Sequence, residues 1–382
     1  MGSPRRGLDR RSVLWTSAIV VPLVAGAAII VPMAASGAVD LPDKTVEELI
    51  EFAGASEVDA LSGTIEQTSE LGLPDLGGLT ESRDDSQRAS DDESSSADAE
   101  DLIALATGSH TAKVYLDGES ARLQVLDQLG ERNVYVDGAA DEIWYVDSET
   151  QTATKLNLPS DAPNDHRDPS DALSTPDEML DEALARLDET TEVTVGTDSR
   201  VAGRDVYELI LEPRTPDTLV GELRFAIDGE NGAALAASVT ARGASAPAFS
   251  IGFTQVDFSA PDPAVFAFEP GADIAVTEKD VAPHGGHDGR DEKKTDAAAP
   301  VIIGEGWSAV VELPDASEAG EQGAFAGLDP EQLAMLESVT FAVEGGRMMQ
   351  TALVSVLFTD DGRVLVGAVP ASRLVEAAQT GR

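Results

Sequence analysis

The sequence predicts an α+β protein built mainly from antiparallel strands, and three observations support this. Between Thr197 and Ala241 apolar residues recur at every second position, the period of a strand with one buried face. From His110 to Leu158 short apolar segments alternate with turn pairs such as Asp-Gly and Asp-Ser. Helical spacing occurs in short segments between the strands. Strands joined by such short turns pair antiparallel.

Composition limits the function classes. Asp and Glu number 70 against 26 Lys and Arg, which gives a net charge of −44. A field of this sign repels phosphates, so the sequence predicts no nucleic-acid partner. Cysteine is absent, which rules out disulfides, thiolate metal sites, a Cys nucleophile and the lipid-bearing cysteine of a bacterial lipoprotein. The 42% hydrophobic content is ordinary for a globular protein.

The N-terminal segment predicts export. Arginines at positions 5, 6, 10 and 11 precede an uncharged run from Val13 to Ala35, which ends in the small residues Ser36-Gly37-Ala38. This is the layout of a signal peptide covering residues 1–38. The apolar run is also long enough to span a bilayer, so an uncleaved signal anchor at residues 13–35 is the alternative. We therefore expect an acidic protein that is secreted or held in the extracytoplasmic cell envelope.

The first elements after the signal are a helix and a strand. Thr45 to Phe52 has apolar residues at helical spacing, and Thr45 with Glu48 forms a capping-box pattern. Ala60 onward predicts the first strand. Residues 81–101 are acidic and serine-rich with almost no large apolar side chain, so we expect a disordered insertion there.

The strands from His110 to Leu158 are followed by a second predicted helix that starts at Thr175. Thr175 is the expected N-cap, Pro176 the first helical residue, and acids fill the first turn. In the strand from Leu219 to Asp228 the apolar side chains alternate with polar ones, which predicts one buried and one solvated face. In the next strand the alternation of Phe249, Ile251 and Phe253 shifts phase, which predicts a bulge near Thr254.

The segments Arg200-Val-Ala-Gly-Arg-Asp-Val-Tyr-Glu-Leu, Phe225-Ala-Ile-Asp and Asn231-Gly-Ala-Ala-Leu resemble a short motif of LolA-type lipoprotein carriers and MucB/RseB-type periplasmic regulators. Pro261 to Phe268 resembles the closing segment of the same families. The resemblance implies an open half-barrel sheet covered by helices, whose concave face holds acyl chains or an apolar segment of a partner. One departure is Ala233-Ala234-Leu235, where family members often have Leu-Pro-Leu.

Domain boundaries follow from these patterns. Residues 39–270 form the predicted LolA-like sheet domain and residues 271–300 a charged linker. Residues 301–382 predict a small α+β domain of unknown role. Its expected elements are strands at 301–313, 348–358 and 364–369, and helices at 330–336 and from Ala371.

The concave face implied by the resemblance would be walled by large apolar side chains, and the helix at Thr175 would act as a lid. The candidate wall residues are Ile65, Leu123, Val125, Tyr135, Trp144, Leu209, Leu211, Leu223, Phe225, Ile227, Phe249 and Phe253. The lid residues are Met179, Leu180, Leu184 and Leu187. Each wall residue has an alternative role as ordinary core packing.

No pattern of catalytic residues stands out. The four histidines, His110, His166, His284 and His287, have no metal or triad spacing, and the sequence has no nucleophile elbow, HExxH motif or phosphate-binding glycine loop. We therefore predict a non-enzymatic protein without a cofactor or metal. The first hypothesis is a carrier that binds lipid or a lipoprotein acyl chain, and the alternative is a regulator or scaffold that binds a membrane or envelope protein.

Overall fold

The computed structural model describes residue 39 and residues 41–72, 109–126, 130–137, 142–157, 175–280, 301–313 and 339–380. The predicted export signal, the acidic insertion at 81–101 and the predicted helix at 330–336 lie outside these residues. So do His166, His284 and His287.

Thirteen strands in the described part of the chain form one large sheet. They are β1 (Ala60–Ser69), β2 (His110–Asp117), β3 (Ser120–Leu126), β4 (Glu131–Asp137), β5 (Glu142–Asp147), β6 (Thr152–Asn157), β7 (Thr191–Val195), β8 (Ser199–Val201), β9 (Arg204–Pro213), β10 (Val220–Asp228), β11 (Ala234–Ala241), β12 (Pro247–Asp257) and β13 (Ala275–Asp280). The order across the sheet is β13-β6-β5-β4-β3-β2-β1-β12-β11-β10-β9-β7, with β8 beside β9. The sheet is open, and every pair but β13–β6 is antiparallel. The predicted fold class is confirmed.

Two capped helices cover the sheet. Helix α1 is Val46–Gly54 and helix α2 is Pro176–Ala185. Both begin with a capping box, predicted for α1, in which the N-cap threonine accepts from a glutamate N–H and that glutamate accepts from the threonine N–H. At α2 the predicted Thr175 N-cap and Pro176 at the first helical position are confirmed. Their apolar faces bury Leu49 and Leu180 against the sheet.

Burial in β10 departs from the simple alternation. Phe225 and Ile227 face the core as predicted, but Ala226 and Asp228 on the opposite face are also buried, at 1% and 0% exposure. The expectation of one fully solvated face is therefore wrong for the C-terminal half of this strand. Asp228 is tolerated there because Arg204 and backbone N–H groups bond to it.

The predicted bulge in β12 is confirmed. Thr64 pairs with Gln255 and Ile65 with Phe253, so Thr254 is the extra residue. Gly63 lies opposite this bulge, and a Cβ at that position would come within 2.6 Å of the Phe253 ring. The close approach requires glycine and places Phe253 beside Ile65.

The C-terminal residues form a second sheet of six strands among the described residues, in the order β14-β15-β19-β18-β17-β16. The strands are β14 (Val301–Ile303), β15 (Val310–Leu313), β16 (Phe341–Val343), β17 (Gly346–Gln350), β18 (Ser355–Thr359) and β19 (Val364–Gly367). Helix α3 (Ala371–Thr380) packs on one face. The strands expected at 301–313 and 348–358 are each two shorter strands, because turns at 304–309 and 351–354 break them.

The other face of the second sheet packs against the large sheet. Leu353, Val354 and Val356 share one apolar cluster with Leu71, Val220 and Ala248. Backbone hydrogen bonds cross the contact from Leu219 N to Ala368 O (2.8 Å) and from Ala352 N to Leu71 O (2.9 Å). The two sheets therefore share a hydrophobic core.

The segment expected to be a linker begins as part of the large sheet. Ala275–Asp280 form β13, which runs parallel to β6 at the edge. Residues 281–300 lie outside the described residues. The sheet region therefore extends ten residues beyond the predicted boundary at 270.

Candidate functional site

A cavity of about 210 Å³ lies between the large sheet and the N-terminal half of α2. We call the face of the sheet that α1 and α2 cover the concave face, and the other the convex face. The sheet side is apolar. Cross-strand pairing places Ala121 and Leu123 of β3 opposite Val136 and Val134 of β4, so these four side chains share one face. The helix side is polar and consists of Thr175, Asp177, Glu178 and Asp181.

The lining residues come from β1 to β4, α2 and its N-cap Thr175, β11 and β12, with Val58, Ala233 and Phe258 from the adjoining loops. They are Val58, Leu61, Ile65, Gln67, His110, Ala112, Val114, Leu116, Ala121, Arg122, Leu123, Val134, Val136, Thr175, Asp177, Glu178, Asp181, Ala233, Ala234, Leu235, Ile251, Phe253 and Phe258. An apolar wall with a few convergent polar groups is typical of small-molecule binding pockets.

Helix α2 is fixed over the cavity by contacts at both faces. Asp177 accepts a hydrogen bond from the backbone N–H of Ala234 at 2.8 Å, which ties the first turn to β11. One turn later Leu180 is 2% exposed in the main core. These contacts hold α2 over the cavity, with its polar first turn at the cavity and its apolar face packed in the core.

Burial raises the pKa of the Asp177 carboxyl above its ordinary value, because desolvation disfavours the charged form. The hydrogen bond from Ala234 opposes this shift, and the nearby charge of Asp181 adds to it. A titratable group perturbed in this way inside an apolar cavity is a common feature of functional sites.

Three of the predicted wall residues line the cavity: Ile65, Leu123 and Phe253. Val125 is on the same face, opposite Ala112, but packs in a small cluster beside the cavity. Whether any of the three contacts a ligand stays a prediction.

Six further wall residues lie in the closed parts of the concave face. Leu209, Leu211, Phe225 and Ile227 are at most 1% exposed in the main core, which includes Leu49 of α1 and Leu180 of α2. Leu223 and Phe249 pack where the second sheet meets the first. The structure therefore places these six in core packing, the alternative role that the sequence left open.

Tyr135 and Trp144 lie on the opposite, convex face. The Tyr135 ring stacks on Phe268 and the Trp144 ring meets Phe268 edge to face, with a centroid distance of 5.2 Å in both pairs. Arg122 and Lys155 add cation–π contacts to Tyr135 and Trp144 at 4.7 and 5.6 Å. Both aromatic residues are thus separated from the cavity by the sheet itself.

The predicted lid helix covers the sheet, but its four named residues do not line the cavity. Leu180 is buried in the main core, and Met179, Leu184 and Leu187 pack against that core as partly buried residues. The polar residues of the first turn border the cavity in their place. Position on the helix explains this, because Asp177 and Asp181 are four residues apart and so share a face.

Sequence reasoning missed most of the lining, including Val134 and Val136. The strand Asn133-Val134-Tyr135-Val136 has apolar residues in both phases of its alternation, so periodicity alone does not show which phase faces the cavity. The alternation of Ala112, Val114 and Leu116 in β2 was a usable signal, since all three line the cavity.

In the described part of the chain, no group of three or more His, Asp or Glu side chains could hold a metal ion. No helix within those residues is long and apolar enough to cross a membrane. The predictions of a non-enzymatic protein without metal or cofactor remain predictions.

No known protein-family model matches the chain, and no curated protein is detectably similar to it. Solved structures do match. The complex of MucA and MucB from Pseudomonas aeruginosa matches over 87% of this chain and 96% of that chain, with 16% identity and a TM-score of 0.42.

Two shorter structures match just over half of this chain. A putative outer membrane lipoprotein-sorting protein domain from Vibrio parahaemolyticus matches 58% of this chain and 95% of its own, with 11% identity and a TM-score of 0.23. A LolA-superfamily protein from Nitrosomonas europaea matches 59% and 99%, with 10% identity and a TM-score of 0.22. Function must therefore be argued from the geometry of the cavity.

Proposed function

We propose that this protein binds the acyl chain of a lipid or lipoprotein in the cavity under α2 and acts as a non-enzymatic carrier outside the cytoplasm. The observation that supports the proposal is the cavity itself, a space of about 210 Å³ with an apolar wall on the open sheet. Export is supported by the N-terminal sequence, residues 1–38.

The size of the cavity fits part of a ligand. A dry apolar cavity of about 150 Å³ holds benzene, and pockets for drug-sized molecules reach about 300–1,000 Å³. A cavity between these sizes holds one short chain or the end of a longer one. Each buried methylene contributes about 0.8 kcal/mol, so binding needs no reactive group.

The proposal is tested with the exported protein, extracted gently from cells and measured by native mass spectrometry before and after organic extraction. We expect a mass loss that corresponds to a lipid. The stripped protein should then bind the neutral dye N-phenyl-1-naphthylamine, with a rise in its fluorescence.

Two matched variants locate the bound lipid. Ala121→Phe projects a ring into the cavity from β3, so it should abolish both the lipid mass and dye binding. Thr111→Phe adds the same ring on the other face of β2, one residue before the cavity-lining Ala112, and should leave both unchanged.

Two results would reject the carrier. A chain that carries no lipid and does not bind the dye has no apolar ligand site, and equal binding by both variants would place the ligand elsewhere. The alternative of a regulator predicts a lipid-free chain recovered together with a membrane or envelope protein.

A further inference from the structure

The negatively charged side chains around the cavity all lie on one side of it. Asp177, Glu178 and Asp181 all lie on the α2 side of the lining. The Glu178 carboxylate accepts from the Thr175 N–H at 2.6 Å, which fixes its negative charge at the cavity. Asp177 is fixed by the Ala234 N–H, and Asp181 is exposed one turn further along the helix.

The one arginine among the lining residues does not offset these charges. Arg122 has its guanidinium on the convex face, where it donates to Asn133 Oδ1 at 2.9 Å and lies 4.7 Å from the centre of the Tyr135 ring. It also donates to the backbone oxygen of Val265. His110 is the other basic residue among the described lining residues, which also include the three carboxylates of α2.

We propose that the cavity selects amphiphiles whose head group carries no negative charge. This inference rests on the proposed function. An acyl chain on the apolar wall places its head group beside the first turn of α2, where water is partly excluded and charges interact strongly. A carboxylate or phosphate there is repelled. Hydroxyl, amide and ammonium groups instead donate hydrogen bonds to the carboxylate oxygens.

The test compares three ligands with the same dodecyl chain length on the stripped, full exported protein. Monolaurin has a neutral head group, dodecylamine a cationic one and dodecanoate an anionic one. Displacement of N-phenyl-1-naphthylamine at neutral pH and low salt gives their affinities. We expect dodecanoate to bind about tenfold more weakly than monolaurin, and dodecylamine at least as tightly as monolaurin.

A charge-neutralised variant separates the cavity from the charge of the whole protein. Asp177→Asn with Asp181→Asn removes two negative charges at the cavity, and the amide that replaces the Asp177 carboxylate keeps an acceptor for the Ala234 N–H. Glu119→Gln with Glu149→Gln removes two exposed charges elsewhere. The first variant should narrow the difference between monolaurin and dodecanoate, and the second should leave it unchanged.

Each outcome bears on a different claim. If dodecanoate binds the wild type as tightly as monolaurin, or if both double variants change its affinity equally, head-group selection is wrong while the carrier stands. If none of the three ligands displaces the dye, the proposed function fails and this inference fails with it.

Discussion

Asp228 is the most deeply buried charged residue in the described part of the chain. It is fully buried, pairs with Arg204, and accepts from the backbone N–H groups of Glu230 and Asn231 at 2.9 and 3.1 Å. Burial alone would raise the pKa of Asp228, but these hydrogen bonds together hold it below its ordinary value. The same hydrogen bond raises the pKa of Arg204, so the pair stays charged. The hydrogen bonds from Glu230 and Asn231 to Asp228 close the turn between β10 and β11.

Asp228→Asn should therefore be strongly destabilising. It removes the negative partner of a part-buried arginine, and breaking such a pair costs about 3 kcal/mol of unfolding free energy. Asp205→Asn is the matched control, because its pair with Arg200 is 41% and 42% exposed and contributes at most about 1 kcal/mol. Urea unfolding measures both. Equal losses of unfolding free energy in the two variants would contradict the conclusion that the buried Asp228–Arg204 pair stabilises the protein more than the exposed Asp205–Arg200 pair.

The effect of Asp228→Asn should depend on pH in one direction. A carboxyl with a lowered folded-state pKa contributes stability above its unfolded value of about 3.9. That contribution is lost as the pH falls through the still lower folded-state pKa. The stability difference between wild type and variant should thus be constant near neutral pH and shrink below about pH 4. A difference that grows on acidification would overturn this account.

At the scale of elements, α1 and α2 start with the same capping box but border different regions. The N-cap of α2, Thr175, lines the cavity, whereas no residue of α1 does. Both caps are worth a similar amount of stability, since each threonine accepts a hydrogen bond from a backbone N–H near the helix start.

Thr175→Ala and Thr45→Ala should therefore separate stability from binding. Each should lower the unfolding free energy by about 1 kcal/mol. Only Thr175→Ala should weaken binding of N-phenyl-1-naphthylamine, because it loosens the first turn of α2 above the cavity. Thermal unfolding and dye titration measure the two effects. Weaker binding in both variants would show that general loss of stability controls ligand binding.

The bulge in β12 also acts at this scale. The shift of phase at Thr254 turns Phe253 toward Ile65, and the glycine at position 63 leaves room for the ring. Two of the three predicted wall residues that line the cavity, Ile65 and Phe253, lie at this irregularity. The alternation in β12 was visible in the sequence because the large apolar residues Phe249, Ile251 and Phe253 are separated by the small residues Ser250 and Gly252.

At the scale of the whole molecule, the second sheet completes the packing of the first. Leu223 and Phe249 lie on the concave face and contact the cluster formed with Leu353 and Val354. Trp307 adds a hydrogen bond from its indole N–H to Thr191 Oγ1 at 2.9 Å. The second sheet thus covers apolar surface that the large sheet would otherwise expose to water.

Val354→Asp should therefore destabilise the whole protein. Val354 is 4% exposed in the shared cluster, and a charge without a partner there costs several kcal/mol. Val301→Asp is the matched control at an edge position that is 55% exposed, and it should change stability by less than about 0.5 kcal/mol. Urea unfolding followed by tryptophan fluorescence tests both. Similar stability in the two variants would show that the sheets do not share a core.

The net charge of −44 is also a property of the whole chain. Ion pairs such as Arg224–Glu208 use up the basic side chains. Because the chain has 70 acidic and only 26 basic residues, most carboxylates have no cation to balance them. This surplus keeps phosphates away over the whole surface. Near α2 the negative charge is concentrated locally, since three carboxylates border one cavity.

The local elements and the fold class can be predicted from short stretches of the sequence. Capping boxes at Thr45 and Thr175, turn pairs between the strands and the alternation of apolar residues are encoded within a few residues of each other. Short connections then required antiparallel pairing. The strands β1 to β6, the bulge at Thr254 and the three helices α1 to α3 were predictable for this reason.

Only the tertiary structure decided which face of each strand forms the cavity. In β4 and β5 both faces are apolar, and the return of Phe268 to the convex side is what assigns Tyr135 and Trp144 to that side. The parallel pairing of β13 and the docking of the second sheet on Leu223 and Phe249 are likewise contacts between residues far apart in sequence. Periodicity shows that a side chain is buried, but its packing partner depends on where distant segments come together.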